Sequence, residues 1–189
     1  MKKILSTLCG LCLLLPLAMN AQDKNEELMD WASNRKLAWS DYKANPNPNS
    51  DAAASTTTLI GIEYKMNNGN FDYNITCKFS LSRSWGLHKT EYILAHEQGH
   101  FDIAEIFARK LHKAMGEYAF NSRSYQKDLK KIYQDIMKEK EDFQNIYDRE
   151  TNHSIKKDKQ AEWLVKIASM LEDTKSYAGY NLNSSTASR

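Results

Sequence analysis

His96-Glu97-Gln98-Gly99-His100-Phe101-Asp102 is the stretch on which the rest of the sequence turns. In an α-helix, residues four apart lie on one face, one turn above the other, so His96 and His100 can offer two imidazoles to a single ion. Glu97 lies about 100° around the helix from His96. Its carboxylate can reach a water on that ion and take a proton from it. Neutral imidazole suits zinc, and a site with three protein ligands leaves one tetrahedral corner open for water. The pattern is therefore the one in which Zn2+ lowers the pKa of water to about 7 and an amide is hydrolysed, with Glu97 as general base.

The surroundings of the motif read as helix. Tyr92, Ile93, Ala95, Ile103, Ala104, Ile106, Phe107 and Leu111 recur at threes and fours, and no proline follows Trp85. The spacing predicts a helix over about Lys89 to Tyr118. Gly99 weakens it by roughly 1 kcal/mol relative to alanine, which points to a close approach of backbone or substrate at that position. Upstream, Ile60, Ile62, Tyr64 and Met66 alternate with polar or small residues, as do Phe71, Tyr73, Ile75, Cys77 and Phe79. Between them Asn67-Asn68-Gly69-Asn70 supplies turn residues, so residues 59–80 form a β-hairpin with one buried face. Downstream, apolar residues at helical spacing predict a second helix from about Tyr125 to Tyr147 and a third from about Lys157 to Leu171. The fold class is α+β: a small antiparallel sheet and the long motif helix, followed by two further helices.

Two histidines do not complete a site. Asp102 points about 160° away from His100, and Glu105 about 180° away from His96, so neither converges on the ion. His112, twelve residues beyond His100 on the same helix, lies roughly 18 Å away, and His88 precedes the helix. The second helix returns the chain towards the motif, and its pattern breaks at Asp148-Arg149-Glu150-Thr151-Asn152-His153. This predicts a loop that delivers His153 as third ligand, with Asp148 or Glu150 accepting that imidazole's other N–H. Asp148 as a direct ligand is the alternative.

The first residues have the form of an export signal: Lys2 and Lys3, an apolar run from Ile4 to Ala18 interrupted by Pro16, and the small residue Ala21. The run is shorter than the roughly 20 residues of a membrane-spanning helix. Cleavage near Ala21 and a secreted or periplasmic destination are expected, with no stable membrane anchor. Removing residues 1–21 takes two lysines from 26 Lys+Arg and leaves balance with 24 Asp+Glu, so the basic excess belongs to the signal. Nothing in that balance favours nucleic acid as a partner. Of three cysteines only Cys77 remains, so no intrachain disulfide staples the fold. The expected organisation is a signal peptide over 1–21 and an N-terminal segment over 22–58, whose aromatics pack on the rest and which carries the Asn/Pro loop 45–51. A metallopeptidase domain over 59–175 and a polar, disordered tail over 176–189 follow.

The motif, the Tyr147-Asp148 to Thr151-Asn152-His153 stretch, and Gln160 with Trp163 resemble a family of secreted bacterial proteins long known as a domain of unknown function. That family is grouped with zinc-dependent proteases of the zincin superfamily. The resemblance implies a zincin-like fold, a small sheet packed on the motif helix with its edge strand beside the cleft; Ser154 stands where such families tend to have glycine. Two functions are in view. One is a secreted zinc peptidase acting on peptide or protein substrates. The other is a non-catalytic secreted binding module with a structural or vestigial zinc site, which would be closed by four protein ligands.

Overall fold

Inward-facing β-branched and aromatic residues make the strand Asn70–Ser80 the centre of the sheet. In this computed structural model, which describes residues 26–67 and 70–180, it is flanked on both sides. The expected signal at residues 1–21 and the terminal residues 181–189 lie outside the described residues. We number the strands β1 (Leu28–Asp30), β2 (Ala54–Ser55), β3 (Thr58–Asn67), β4 (Asn70–Ser80) and β5 (Trp85–Gly86). β3 and β4 form the expected antiparallel hairpin, with Ile60 opposite Cys77, Ile62 opposite Ile75 and Tyr64 opposite Tyr73. β1 pairs antiparallel with the other edge of β4, giving the order β1-β4-β3. Central β4 therefore has Phe71, Tyr73, Ile75, Cys77 and Phe79 fully inside, whereas Ile62 and Tyr64 on the edge strand β3 are only half-buried. β2 and β5 form a separate two-stranded ribbon.

Three helices follow: α1 (Glu91–Glu117), α2 (Tyr125–Thr151) and α3 (Lys157–Asp173). Thr90 caps α1, its hydroxyl accepting from the Ile93 N–H at 3.2 Å. α1 is the hub, packed against β3 and β4 on one side and against α2 and α3 on the other. Residues 99–109 of α1 are buried without interruption, so the motif helix is apolar or internally satisfied all round, as expected of a helix enclosed by other layers.

Beyond the motif residues 96–100, the buried polar residues of α1 are matched. Asp102 accepts from Trp31 Nε1 and Gln98 Nε2, both at 2.8 Å, and Gln98 in turn accepts from the Leu37 N–H at 2.8 Å. These bonds strap residues 31–37 onto α1. Glu105 accepts from Arg109 Nε at 2.8 Å and from the Tyr180 hydroxyl, while Arg109 also donates to the Leu171 carbonyl at 2.6 Å. Asp102 and Glu105 thus serve the packing of the chain ends. Within the predicted tail, Tyr180 is buried and the short 3-10 turn Lys175–Tyr177 leads into it. Cys77 is a free, buried thiol, and burial pushes its pKa well up, which makes it inert.

The second helix departs from expectation at its end. The pattern break at Asp148 predicts termination there, yet α2 continues to Thr151. The Thr151 hydroxyl folds back to the Tyr147 carbonyl at 2.7 Å, and the turn comes only at Asn152, whose φ is 50°. Asp148 consequently sits on a helix and not in a loop.

The Glu105 and Arg109 pair supplies a stability test. Glu105→Ala leaves a guanidinium buried without its counter-charge, and loss of one partner of such a pair costs about 3–5 kcal/mol. Urea unfolding should show the transition midpoint falling accordingly, and a loss below about 1 kcal/mol would mean that solvent reaches Arg109 and satisfies it.

Candidate metal centre

The site is built from two facing helix surfaces. On α1, His96 and His100 lie one turn apart and are both buried, their rings 4.9 Å between centroids and nearly perpendicular at 85°. On α2, Gln144, Tyr147, Asp148 and Thr151 recur at threes and fours and form one stripe. Tyr147 stacks on the His96 ring at 4.5 Å and meets His100 edge-on at 5.1 Å, and its hydroxyl donates to the His96 carbonyl at 3.2 Å. It can sit so close because position 99 is glycine: a Cβ there would lie 2.6 Å from the Tyr147 hydroxyl oxygen. The close approach at Gly99 is thus made by a side chain, and not by the backbone or substrate expected there.

With the helices held at that separation, three donor atoms converge. His96 Nε2 and His100 Nε2 are 3.2 Å apart, and Asp148 Oδ1 lies 3.1 Å from the first and 3.0 Å from the second. His96, His100 and Asp148 thus form a group that could hold a metal ion. The dimensions fit. Zinc–nitrogen and zinc–oxygen bonds of about 2.0–2.2 Å place tetrahedral ligands roughly 3.4 Å apart, so these atoms need move outward only slightly. Gln144 Oε1 lies 2.8 Å from His100 Nδ1, and Gln144 Nε2 approaches the His100 carbonyl at 3.5 Å. That orientation makes Nδ1 a donor, so that a neutral His100 keeps its Nε2 lone pair for an ion at the centre.

Burial works against the Asp148 carboxylate, but hydrogen bonds from His100 and His96 outweigh it and hold its pKa well below the usual range. Burial lowers the pKa of His96. For His100 burial acts likewise, but the bond to Asp148 prevails and raises it. Metal must displace the proton that the raised value retains, so affinity declines as pH falls through the His100 titration. Glu97 is buried beside this group and has no hydrogen bond among the described residues, while its charge acts on His96, His100, Tyr42 and Tyr147. The Tyr42 hydroxyl on that side pairs with the Thr56 hydroxyl at 2.8 Å.

His153 is not brought into the group. Its ring is 70 % exposed against 27 % for Asp148, and its Nδ1 approaches only to 3.8 Å from Asp148 Oδ1. The extra turn of α2 is the reason: it carries Asp148 to the position expected for a loop histidine and puts His153 beyond it. Glu150 is turned elsewhere, accepting from Trp163 Nε1 at 2.8 Å. Asn152, His153 and Ser154 all have positive φ, with Ser154 at 70°, a backbone that glycine would adopt without strain. His88 is exposed, and His112 is engaged 3.1 Å from the Tyr73 hydroxyl. Gln144 had a legible signal, being one turn before Asp148 on the same face, although nothing in its own residue type announced a role.

Fold and site together define an α+β protein with a two-histidine, one-carboxylate candidate metal centre between two long helices. The chain belongs to a family described as bacterial protein of unknown function (DUF922), whose model matches residues 18–154. The match spans both helices that build the centre and ends before α3. Neither a curated protein nor a solved structure matches the chain. No helix among the described residues is long and apolar enough to cross a membrane.

The geometry separates two aspartate and histidine variants. Asp148→Ala should weaken zinc binding by more than the roughly 10–100-fold typical of losing a group that merely orients a ligand, whereas His153→Ala should leave it within a few-fold. Titration of both with a competing chelator is the measurement; a greater loss in His153→Ala would restore the histidine as the ligand.

Proposed function

We propose that this protein is a zinc-dependent peptidase of the bacterial periplasm or exterior. The observation that carries this reading is the convergence of His96 Nε2, His100 Nε2 and Asp148 Oδ1 within 3.0–3.2 Å of one another. Beside them stands Glu97, a residue of little exposure whose carboxylate makes no hydrogen bond among the described residues. His96, His100 and Asp148 would hold the ion, and bound zinc supplies a water with a pKa near about 7 and polarisation of the scissile carbonyl. The chain's own groups do the rest. Glu97 takes the water's proton and returns it to the departing amine, a transfer that a carboxylate without a competing hydrogen bond is free to make. Gln144 keeps the His100 proton on Nδ1, so that Nε2 stays available. Tyr147, fully buried, seals the side of the centre facing the core.

The choice of zinc rests on the donor set, two imidazoles and one carboxylate, and on the spacing of the three atoms. The rival reading, a structural zinc in a non-catalytic module, calls for a fourth protein ligand. Only three donors converge among the described residues, which favours a centre with an open position. The export signal read from residues 1–21 supports a location outside the cytoplasm and substrates that are peptides or proteins encountered there.

Glu97→Gln is the test. The amide preserves size but cannot accept the water's proton, so zinc affinity should stay within a few-fold of wild type while cleavage of a peptide library falls by about 10²–10⁴-fold. A variant that keeps wild-type turnover would assign the base elsewhere, and wild-type protein that binds zinc yet cleaves no peptide would favour the binding module.

A further inference from the structure

Three buried polar atoms have no hydrogen-bond partner among the described residues: His96 Nδ1, the Tyr92 hydroxyl and Gln160 Oε1. They lie on two adjoining segments, the first turns of α1 and of α3, where Lys157 Nζ also sits 5.6 Å from the Tyr92 ring. Tyr92 and His96 are a turn apart on α1, and helical side chains lean over the turn N-terminal to their own Cα, so the His96 ring lies over the turn that begins at Tyr92. Gln160 Nε2 donates to the Tyr92 carbonyl at 2.9 Å, which brings the Gln160 amide to that same turn. Trp163, three residues further along α3, packs on Tyr147 at 5.4 Å, and Tyr147 is stacked on His96 at 4.5 Å. The amide end of Gln160 therefore sits at the turn of α1 that begins one turn before His96.

An imidazole N–H, an amide oxygen and a hydroxyl, all sealed from solvent, are the partner set of one internal water, which makes about three hydrogen bonds. We propose that Gln160 positions His96 for metal binding through a single internal water that it shares with the Tyr92 hydroxyl. The water accepts from His96 Nδ1–H, donates to Gln160 Oε1, and makes its third bond with Tyr92. The His96 proton is thereby kept on Nδ1 and the Nε2 lone pair is left for the metal, the result that Gln144 achieves for His100 directly. α2 orients one histidine and α3 the other. The second of these helices lies beyond the matched segment 18–154, so this support comes from outside it. The inference rests on the reading of His96 as a ligand through Nε2.

Crystals of the wild-type protein grown with and without zinc give the first readout. An ordered water within hydrogen-bonding distance of His96 Nδ1, Gln160 Oε1 and the Tyr92 hydroxyl is expected in both; a dry gap, or direct pairing of the three atoms with other groups, overturns the proposal. Zinc competition gives the second. Gln160→Met, which keeps the size and removes the acceptor, should weaken zinc binding by about 10–100-fold. Gln160→Glu, which keeps an acceptor there, should stay within a few-fold of wild type, and Tyr92→Phe should show a smaller loss of the same sign as the methionine variant. Equal losses in Gln160→Met and Gln160→Glu would reduce Gln160 to a packing residue and overturn the proposal, as would an unchanged Gln160→Met. Wild-type protein that binds no zinc would instead remove the metal reading, and the water in the metal-free crystal would still decide whether His96 and Gln160 are linked.

Discussion

The contact between Tyr147 and the bare backbone at Gly99 sets the distance on which the candidate centre depends. Packed helices lie about 8–10 Å apart, and the side chains at their closest crossing decide which residues of the two facing surfaces meet. Glycine opens a notch, the phenol ring fills it, and the Tyr147 hydroxyl takes the His96 carbonyl at 3.2 Å. The residue after Tyr147 is Asp148, and the residue one turn before Asp148 is Gln144. A single packing contact therefore places both the third donor and the amide that orients His100. A methyl at position 99 would press on the tyrosine at 2.6 Å and move all of them together.

The cluster so assembled is electrostatically incomplete without a cation. Asp148 Oδ1 and the two Nε2 atoms crowd within 3.0–3.2 Å, and at least one imidazole must carry a proton towards the carboxylate for that crowding to be favourable. A divalent ion removes the conflict by replacing those protons. Ligand binding to the folded state alone stabilises it, so the ion should act as a clamp between α1 and α2 as well as a reagent. Away from the centre the same helix is held by matched buried polar groups, Asp102 with the strap at residues 31–37 and Glu105 with Arg109 and Tyr180. α1 is thus fixed on all sides, leaving Glu97 as the buried acid of the motif with no hydrogen bond among the described residues.

Much of this was legible in the residues. The alternation in 59–80 and the threes and fours from Tyr92 to Leu111 gave the hairpin and the motif helix to within a few residues, because in both cases burial on one face leaves its period in the sequence. The histidine pair and Glu97 were legible for the same reason, the helix period. For the third donor the structure groups the sequence's alternative, Asp148, with the two histidines and leaves His153 outside. Asp148-Arg149-Glu150-Thr151 looks like a helix end by composition, and what extends the helix is a local bond from the Thr151 hydroxyl to the Tyr147 carbonyl together with burial of Thr151. The burial is a tertiary effect, and it leaves Asp148 on the helix facing the histidines. The roles of Gln144 and Tyr147 depend on which faces of α1 and α2 meet. The strap at residues 31–37 and the burial of Tyr180 likewise depend on contacts far apart in sequence.

The central claim is that one ion bridges α1 and α2 through His96, His100 and Asp148. Anomalous diffraction at the zinc absorption edge, on crystals of the full chain grown with stoichiometric zinc, measures this most directly. The account predicts one peak, about 2.0–2.2 Å from His96 Nε2, His100 Nε2 and Asp148 Oδ1, with no fourth protein ligand. A peak coordinated by His153 in place of Asp148, or no peak between the two helices, would contradict it.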